Sequence, residues 1–348
     1  MNLEDLIINE DSSVLNAMQQ LDKTGRRIVF VAPGGVLKAV LTDSDVRKFI
    51  LRGGEVKQPL RVAANYNPKS LPVEKRPKAK EFLLQNSIDA VPLLDKQGVM
   101  VDIVFANDLD GIDTKKQLTL PVVIMAGGLG TRLYPYTKIL PKPLIPVGEV
   151  PILELIMERF NGFGCADFRV IVNYRRNMIK SYFNETEREY DIEYIDEDEP
   201  LGTGGGLCLL KGKLAETFFL TNCDVLIEAD YADIIRFHKK SGNAVTMICA
   251  MKHFVIPYGV VEMDADGCFG RIAEKPEMDY LTNTGMYVVE PSVVEAIEDG
   301  VSQGFTDIIE QTRAAGGRIG VYPISEASWM DMGQLEELEK MRRRMEQA

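Results

Sequence analysis

The chain has 348 residues, 45% hydrophobic and 26% charged, a globular balance with core enough for two or three domains. A formal net charge of −12 argues against nucleic acid and anionic membrane as partners, while local Arg and Lys can still hold a nucleotide. Two histidines and five scattered cysteines without C-x-x-C spacing argue against a His-based triad, a multi-histidine zinc site and a disulfide framework.

The opening MNLEDLIINEDSS lacks the basic and apolar regions of a signal peptide. No run approaches the roughly 18–20 apolar residues of a membrane span, so a cytoplasmic protein with reduced thiols is expected. Val14, Leu15, Met18 and Leu21 then recur at helical spacing. Ile28-Val29-Phe30-Val31 leads through Gly34-Gly35 to Val36, Val40 and Leu41, then to Thr42-Asp43-Ser44-Asp45-Val46. The order returns downstream: Ala79, Phe82 and Leu83 mark a helix, and Val91-Pro92-Leu93-Leu94 leads through Gly98 to Val99, Ile103 and Val104. Gly35 and Gly98, like Asp45 and Asp108, are 63 residues apart. Two units packed face to face, 1–58 and 59–115, are expected.

This pattern resembles a pair of CBS domains, modules that often bind adenine nucleotides in the cleft between them. The resemblance implies that a Thr and an Asp three residues later, Thr42 and Asp45, hold phosphate and ribose hydroxyls. The second unit keeps Asp108 but has Phe105 in place of the hydroxyl. A purely structural or dimerising appendage is the alternative. Lys75, Arg76 and Lys78 read as a solvated helix start, and the polar stretch 111–117 as a linker.

Residues 122–144 read VVIMAGGLGTRLYPYTKILPKPL. A buried strand opening into a glycine turn brings backbone N–H groups close to a ligand where a Cβ would block approach. Arg132 and the proline-flanked Lys142 add charge suited to phosphate. The third glycine of a dinucleotide fingerprint and the Gly-Lys-Ser/Thr of a P-loop are both missing. The whole string resembles the GGxGTRLxPxTxxxPKPL signature of sugar-1-phosphate nucleotidyltransferases. Gly127, Gly128, Gly130, Thr131, Arg132, Leu133, Pro135, Thr137, Pro141, Lys142, Pro143 and Leu144 all match it. The resemblance implies that Ala126, Gly127, Gly128, Gly130 and Thr131 line a nucleotide site.

Further on, Ile152, Leu155, Ile156 and Phe160 share a helical face, Phe168–Val172 reads as a buried strand, and Tyr190–Ile195 alternates as another. Strands alternating with helices predict an α/β domain, 119–348, with a Rossmann-like mixed sheet that binds ligands at the strands' C-terminal ends. Leu201-Gly202-Thr203-Gly204-Gly205-Gly206-Leu207 resembles the family's base-contacting L-G-T-x-G segment, and its glycines suit base reading by main-chain N–H and C=O. Asn222-Cys223-Asp224 resembles N-G-D with Cys replacing Gly, and an Asp at a strand's edge is a natural Mg²⁺ ligand. Tyr258-Gly259-Val260-Val261 and Glu274-Lys275-Pro276 flank a hairpin turn at Asp264–Gly267. They and Asn283-Thr284-Gly285 resemble the sugar-contacting elements, with Glu274 on sugar hydroxyls and Lys275 on the sugar phosphate. Trp329-Met330-Asp331-Met332-Gly333 resembles W-x-D-x-G, whose Asp is the second metal ligand. Leu335, Leu338, Met341 and Met345 form a helical stripe, and Arg342-Arg343-Arg344 reads as a solvated helix end.

The chemistry implied is attack of a sugar-1-phosphate oxygen on the α-phosphorus of an NTP, with Mg²⁺ held by Asp224 and Asp331 and catalysis by Arg132, Lys142, Asp224 and Lys275. The LGTGGGL and NCDVL segments look most like guanylyltransferases of surface-glycan pathways, so GTP is the expected donor. A CBS pair ahead of such a domain resembles the glucosamine-1-phosphate guanylyltransferases of legionaminic acid biosynthesis. Mannose- or heptose-1-phosphate, or a dTTP- or UTP-using enzyme, are the alternatives, and an adenine-nucleotide sensor is the alternative of another class. A homo-oligomer is expected.

Overall fold

A computed structural model describes residues 3–86, 88–106, 118–185 and 187–346. The chain divides into two compact units, Met1–Lys116 and Gln117–Ala348. Asp108 and the linker stretch 111–117 lie outside the described residues.

The first unit runs α1 (Val14–Thr24), β1 (Ile28–Val31), β2 (Ala39–Thr42), α2 (Asp43–Leu51), β3 (Leu71–Pro72), α3 (Ala79–Asn86), β4 (Ala90–Leu94) and β5 (Met100–Phe105). Ser13 starts α1 by accepting from the Asn16 N–H, and Gly25 stops it with a left-handed φ of 64°. β1 pairs antiparallel with β2, and β4 lies between β3 and β5. Val36 bridges to Val99, and the Leu37 N–H donates to Gly98 O at 3.1 Å. Residues 63 apart in sequence therefore face each other across the turns. Ile28, Phe30 and Val40 share one cluster with Ala90 and Met100. Arg76 is not simply solvated: it pairs with Asp102 on β5, an exposed contact of little energetic weight.

Thr42 and Asp45 satisfy each other. The Thr42 hydroxyl accepts from the Asp45 N–H at 3.3 Å and donates to Asp45 Oδ2 at 2.7 Å, and the same oxygen accepts from the Thr42 N–H at 3.1 Å. This is a capping box at the start of α2. Thr42→Ala is expected to cost about 1 kcal/mol through the lost cap, read as a lower urea midpoint for this unit.

The second unit holds a seven-stranded sheet. In chain order its elements are β6 (Val122–Met125), β7 (Pro146–Val147), β8 (Val150–Pro151), α4 (Ile152–Asn161), β9 (Asp167–Val172), α5 (Arg176–Glu185), β10 (Asp191–Asp196), α6 (Gly202–Gly205), β11 (Phe218–Asn222) and β12 (Val225–Ile227). Then follow α7 (Tyr231–Ser241), β13 (Val245–Val255), β14 (Val260–Met263), β15 (Phe269–Ala273), β16 (Glu277–Val289), α8 (Pro291–Glu295), α9 (Phe305–Ala314), β17 (Ile319–Ser325), β18 (Trp329–Asp331) and α10 (Leu335–Glu346). The sheet order is β10-β9-β6-β11-β16-β13-β17, and β16 alone runs against the rest.

Period-two alternation sends Val122 and Ile124 to one face and Val123 and Met125 to the other, and both faces are covered. Apolar stripes of α4, α5, α7 and α10 fill the first face, those of α8 and α9 the second. The β14–β15 hairpin forms as expected around Asp264–Gly267. The arginine run in α10 is not a solvated end. Arg342 donates to Pro146 O at 3.1 and 3.3 Å, and Arg344 reaches Glu228 Oε2 at 2.6 Å and the Ala327 carbonyl. Long stems let both guanidinium groups leave the helix end and hold its neighbours. Among the described residues no helix is long and apolar enough to cross a membrane.

Candidate active site

β6 ends where the glycine loop begins, at the C-terminal edge of its parallel neighbours β9 and β11. Gly130 has a φ of 65°, and a Cβ there would stand 2.9 Å from Thr137 Cγ2. Thr137 is buried and donates to Gly130 O at 2.9 Å, so the signature's own threonine ties the loop. Nothing lies within 4 Å of a Cβ at Gly128, leaving that backbone open to approach.

Asp224 follows β11 through Cys223, whose buried thiol is pushed up to about 12 and is inert at neutral pH. β12 and β18 bring the second carboxylate alongside, since Val225 pairs with Asp331 and the Met332 N–H donates to Asp224 O at 2.9 Å. Burial, then the like charge of Asp224, raises the Asp331 pKa, with Lys142, the Gly333 N–H and Arg132 pulling the other way. Lys142 Nζ forms an ion pair with Asp224, each side chain 13% exposed. The lysine expected on phosphate is thus engaged with a carboxylate, because the Pro141-Lys142-Pro143 turn aims its stem across the end of β11.

A cleft of about 280 Å³ brings together Arg132 and the two carboxylates, while residues 126–131 and Lys142 are not among its lining residues. Arg132, Thr203, Asn222, Asp224, Asn283, Thr284, Phe305, Trp329 and Asp331 are among the residues lining it. Asn283 donates to the Tyr287 hydroxyl at 2.7 Å. Thr284 is buried and its hydroxyl is spent on Ile248 O at 2.8 Å, which suits backbone support better than direct sugar contact. Gly285, with φ of 84°, leaves room for the Asn222 amide, 2.4 Å from where a Cβ would stand. Tyr258, Gly259, Glu274 and Lys275 do not line this cleft and are exposed on the hairpin side. Glu274 Oε2 lies over Gly259, 2.9 Å from a Cβ built there, and Lys275 takes an unusual φ of 43°.

The glycine triplet is a correction. Gly202–Gly205 forms a short helical turn, and the Gly204 and Gly205 N–H groups donate to Gln303 O at 3.0 and 3.1 Å. A Cβ would stand 2.6 Å from Gln303 O at Gly202 and 2.2 Å from Val301 O at Gly205. These glycines admit the entry to α9, so those two amides do not read a base. Thr203 stays exposed at the cleft, its hydroxyl accepting from the Phe305 N–H at 3.4 Å. Sequence reasoning missed Glu197, which is 4% exposed and accepts from the Leu201 N–H at 3.1 Å. Its signal was parity: Glu197 continues the inward face of Ile195, where a charge is unexpected.

A mixed α/β sheet with a glycine loop, a basic pair and two facing carboxylates at one edge defines a domain built to handle phosphate groups. Residues 121–348 match the family described as Nucleotidyl transferase, and the chain belongs to that family. It is similar to the probable mannose-1-phosphate guanylyltransferase 1 of Oryza sativa subsp. japonica, 32% identical over 224 residues, covering 62% of each chain. The mannose-1-phosphate guanyltransferase of Candida albicans is 34% identical over 227 residues, covering 61% of this chain and 60% of its own. The chain therefore spans about three fifths of the length of these curated relatives. Among solved structures, HddC from Yersinia pseudotuberculosis is similar at 25% identity and a TM-score of 0.52, covering 65% of this chain and 99% of its own.

Proposed function

We propose that the chain transfers the guanylyl group of GTP to a hexose-1-phosphate, with mannose-1-phosphate as acceptor, and releases pyrophosphate. The carrying observation is the convergence of Arg132, Asp224 and Asp331 on one cleft at the sheet's C-terminal edge. The sequence pattern alone favours glucosamine-1-phosphate, but the relatives' names favour mannose, and the proposal follows them.

In this reading an acceptor phosphate oxygen attacks the α-phosphorus as the bond to pyrophosphate breaks, so no protein nucleophile is needed. The loop Gly127–Gly130 and Arg132 hold the triphosphate. Lys142, paired with Asp224, neutralises phosphate charge. Asn283 takes the sugar side, and Glu274 and Lys275, held on the exposed hairpin outside the cleft, are left for sugar hydroxyls and phosphate that extend beyond it. Two adjacent carboxylates, one with a raised pKa, are an all-oxygen pair suited to Mg²⁺, which takes one or two carboxylates and fills its shell with water and phosphate oxygens. Bound there, Mg²⁺ would supply charge neutralisation for the transferred and leaving phosphates.

A panel crossing GTP, ATP, UTP and dTTP with mannose-, glucosamine-, heptose- and glucose-1-phosphate, read as pyrophosphate release with Mg²⁺, tests this. GTP with mannose-1-phosphate should give the highest kcat/KM. A glucosamine-1-phosphate maximum overturns the acceptor, and silence throughout overturns the enzyme. For the first unit we propose the CBS-like role of binding AMP or ATP near Thr42 and Asp45, supported by the facing of Val36 and Val99. Either nucleotide should raise its melting temperature, and an unchanged curve assigns the unit a structural role.

A further inference from the structure

Arg175 is a surface arginine in a backbone conformation that arginine rarely takes. It stands between β9 and α5 with a φ of 52°, in the left-handed region that glycine adopts without strain. A residue with a Cβ is held there only where its surroundings outweigh that strain, and such positions cluster at functional sites. The side chain is exposed, yet all three of its nitrogens have protein partners. Nη2 donates to Lys138 O at 2.9 Å, Nε donates to the Tyr174 hydroxyl at 2.9 Å, and Nη1 donates to Met178 Sδ at 3.7 Å. The guanidinium carbon stands 5.3 Å from the centre of the Tyr174 ring.

Tyr174 extends the same grip. Its N–H donates to Gly127 O at 3.4 Å, and its hydroxyl, which accepts from Arg175, donates to Thr137 O at 3.5 Å. The dipeptide 174–175 therefore meets both limbs of the signature loop. It holds the first limb at Gly127, where the loop leaves β6, and the far limb at Thr137 and Lys138. Thr137 in turn ties the far limb to the first through Gly130 O. Leu133 and Thr137 are buried, but Tyr134, Tyr136 and Ile139 around them are exposed, so burial fixes only part of this segment. The charge-assisted bond from Arg175 fixes the limb just beyond Thr137. Arg132, which lines the cleft, lies between the two limbs.

We propose that Arg175, acting with Tyr174, is a positioning residue that holds the far limb of the signature loop in place before the nucleotide arrives. Arg132 then meets the triphosphate already oriented. A loop ordered in advance lowers the cost of binding, and a charge fixed in advance stabilises the reacting phosphates without rearrangement. The nucleotide's identity rests on the guanylyl-transfer reading, whereas the clamp is testable in the free protein.

The test uses Arg175→Gly, because glycine accepts a φ of 52° and only the side chain is lost. The variant should melt close to wild type. Trypsin should cut the ligand-free variant after the exposed Lys138 about tenfold faster than wild type, read by mass spectrometry of the fragments. In the same variant kcat/KM for GTP should fall by about tenfold or more, with KM for the sugar phosphate unchanged. Tyr174→Phe removes the link to Thr137 and keeps Arg175 on Lys138, so both readings should fall between wild type and Arg175→Gly. It also decides the matter if Arg175→Gly does not fold. Unchanged cleavage in a folded Arg175→Gly overturns the clamp. Faster cleavage with kcat/KM for GTP unchanged overturns its part in orienting the nucleotide. A wild type that turns over no nucleotide overturns the guanylyl reading instead, and the digestion still decides the clamp.

Discussion

Asp224→Asn lowers kcat for pyrophosphate release by about 10²–10³ at saturating GTP and sugar phosphate, a loss of roughly 2–4 kcal/mol of transition-state stabilisation. The substitution keeps the shape of the side chain and leaves the Asp224 carbonyl free to accept from the Met332 N–H, so the β12–β18 pairing persists. It removes one of two adjacent charges. Lys142 then leans on Asp331, whose charge already feels the lysine, which keeps the stability loss small. Melting within a few degrees of wild type, with activity gone, is the expected pair of results. Asp331→Asn serves as the companion, because it removes the other carboxylate with the Lys142–Asp224 pair intact. Full activity in either variant takes that residue out of the proposed metal site.

Gly205→Ala unfolds the second unit at a much lower urea concentration, with an expected cost of about 3–5 kcal/mol. The added Cβ would meet Val301 O at 2.2 Å and Leu201 Cβ at 3.1 Å, and one of the two is a backbone atom with nowhere to turn. Relief requires parting the Gly202–Gly205 turn from the segment that starts α9, which breaks the Gly204 and Gly205 donations to Gln303 O. Gly128→Ala is the contrast. Nothing lies within 4 Å of its Cβ and its φ is not left-handed, so stability should change by less than about 1 kcal/mol. A loss of activity there without a loss of stability would identify Gly128 as a residue kept small for a ligand.

That contrast marks what the sequence could convey. Gly128 and Gly205 look alike in a string, yet one keeps backbone open and the other admits a segment roughly a hundred residues away. Elements whose causes are local were legible: the helical spacing of α4, the Asp264–Gly267 hairpin, the apolar run of β6. The carboxylates at 224 and 331 were legible through motifs tied to strand ends, Asp224 between β11 and β12 and Asp331 at the end of β18. The reversed direction of β16 was not, because strand pairing depends on connections the alternation pattern does not encode. The Thr42–Asp45 pair showed the limit in another way, because a capping box and a ligand-binding pair use the same two residue types at the same spacing. Glu197 was hidden among neighbouring acids, with only its parity to separate it from Asp196 and Asp198.

The grip of α10 bears on when the cleft can be completed. Arg342 reaches Pro146 across 196 residues of sequence, and Arg344 reaches Glu228 across 116. The parallel ladders of β6, β9, β10 and β11 connect segments that are all present once residue 222 has been made. Asp331 and the helix that steadies its strand arrive more than a hundred residues later. A chain emerging from the ribosome can therefore hold a formed glycine loop well before its two carboxylates meet. Contacts of such sequence separation close the largest loops and form late, so the phosphate cradle is an early product of folding and the paired-acid centre one of its last.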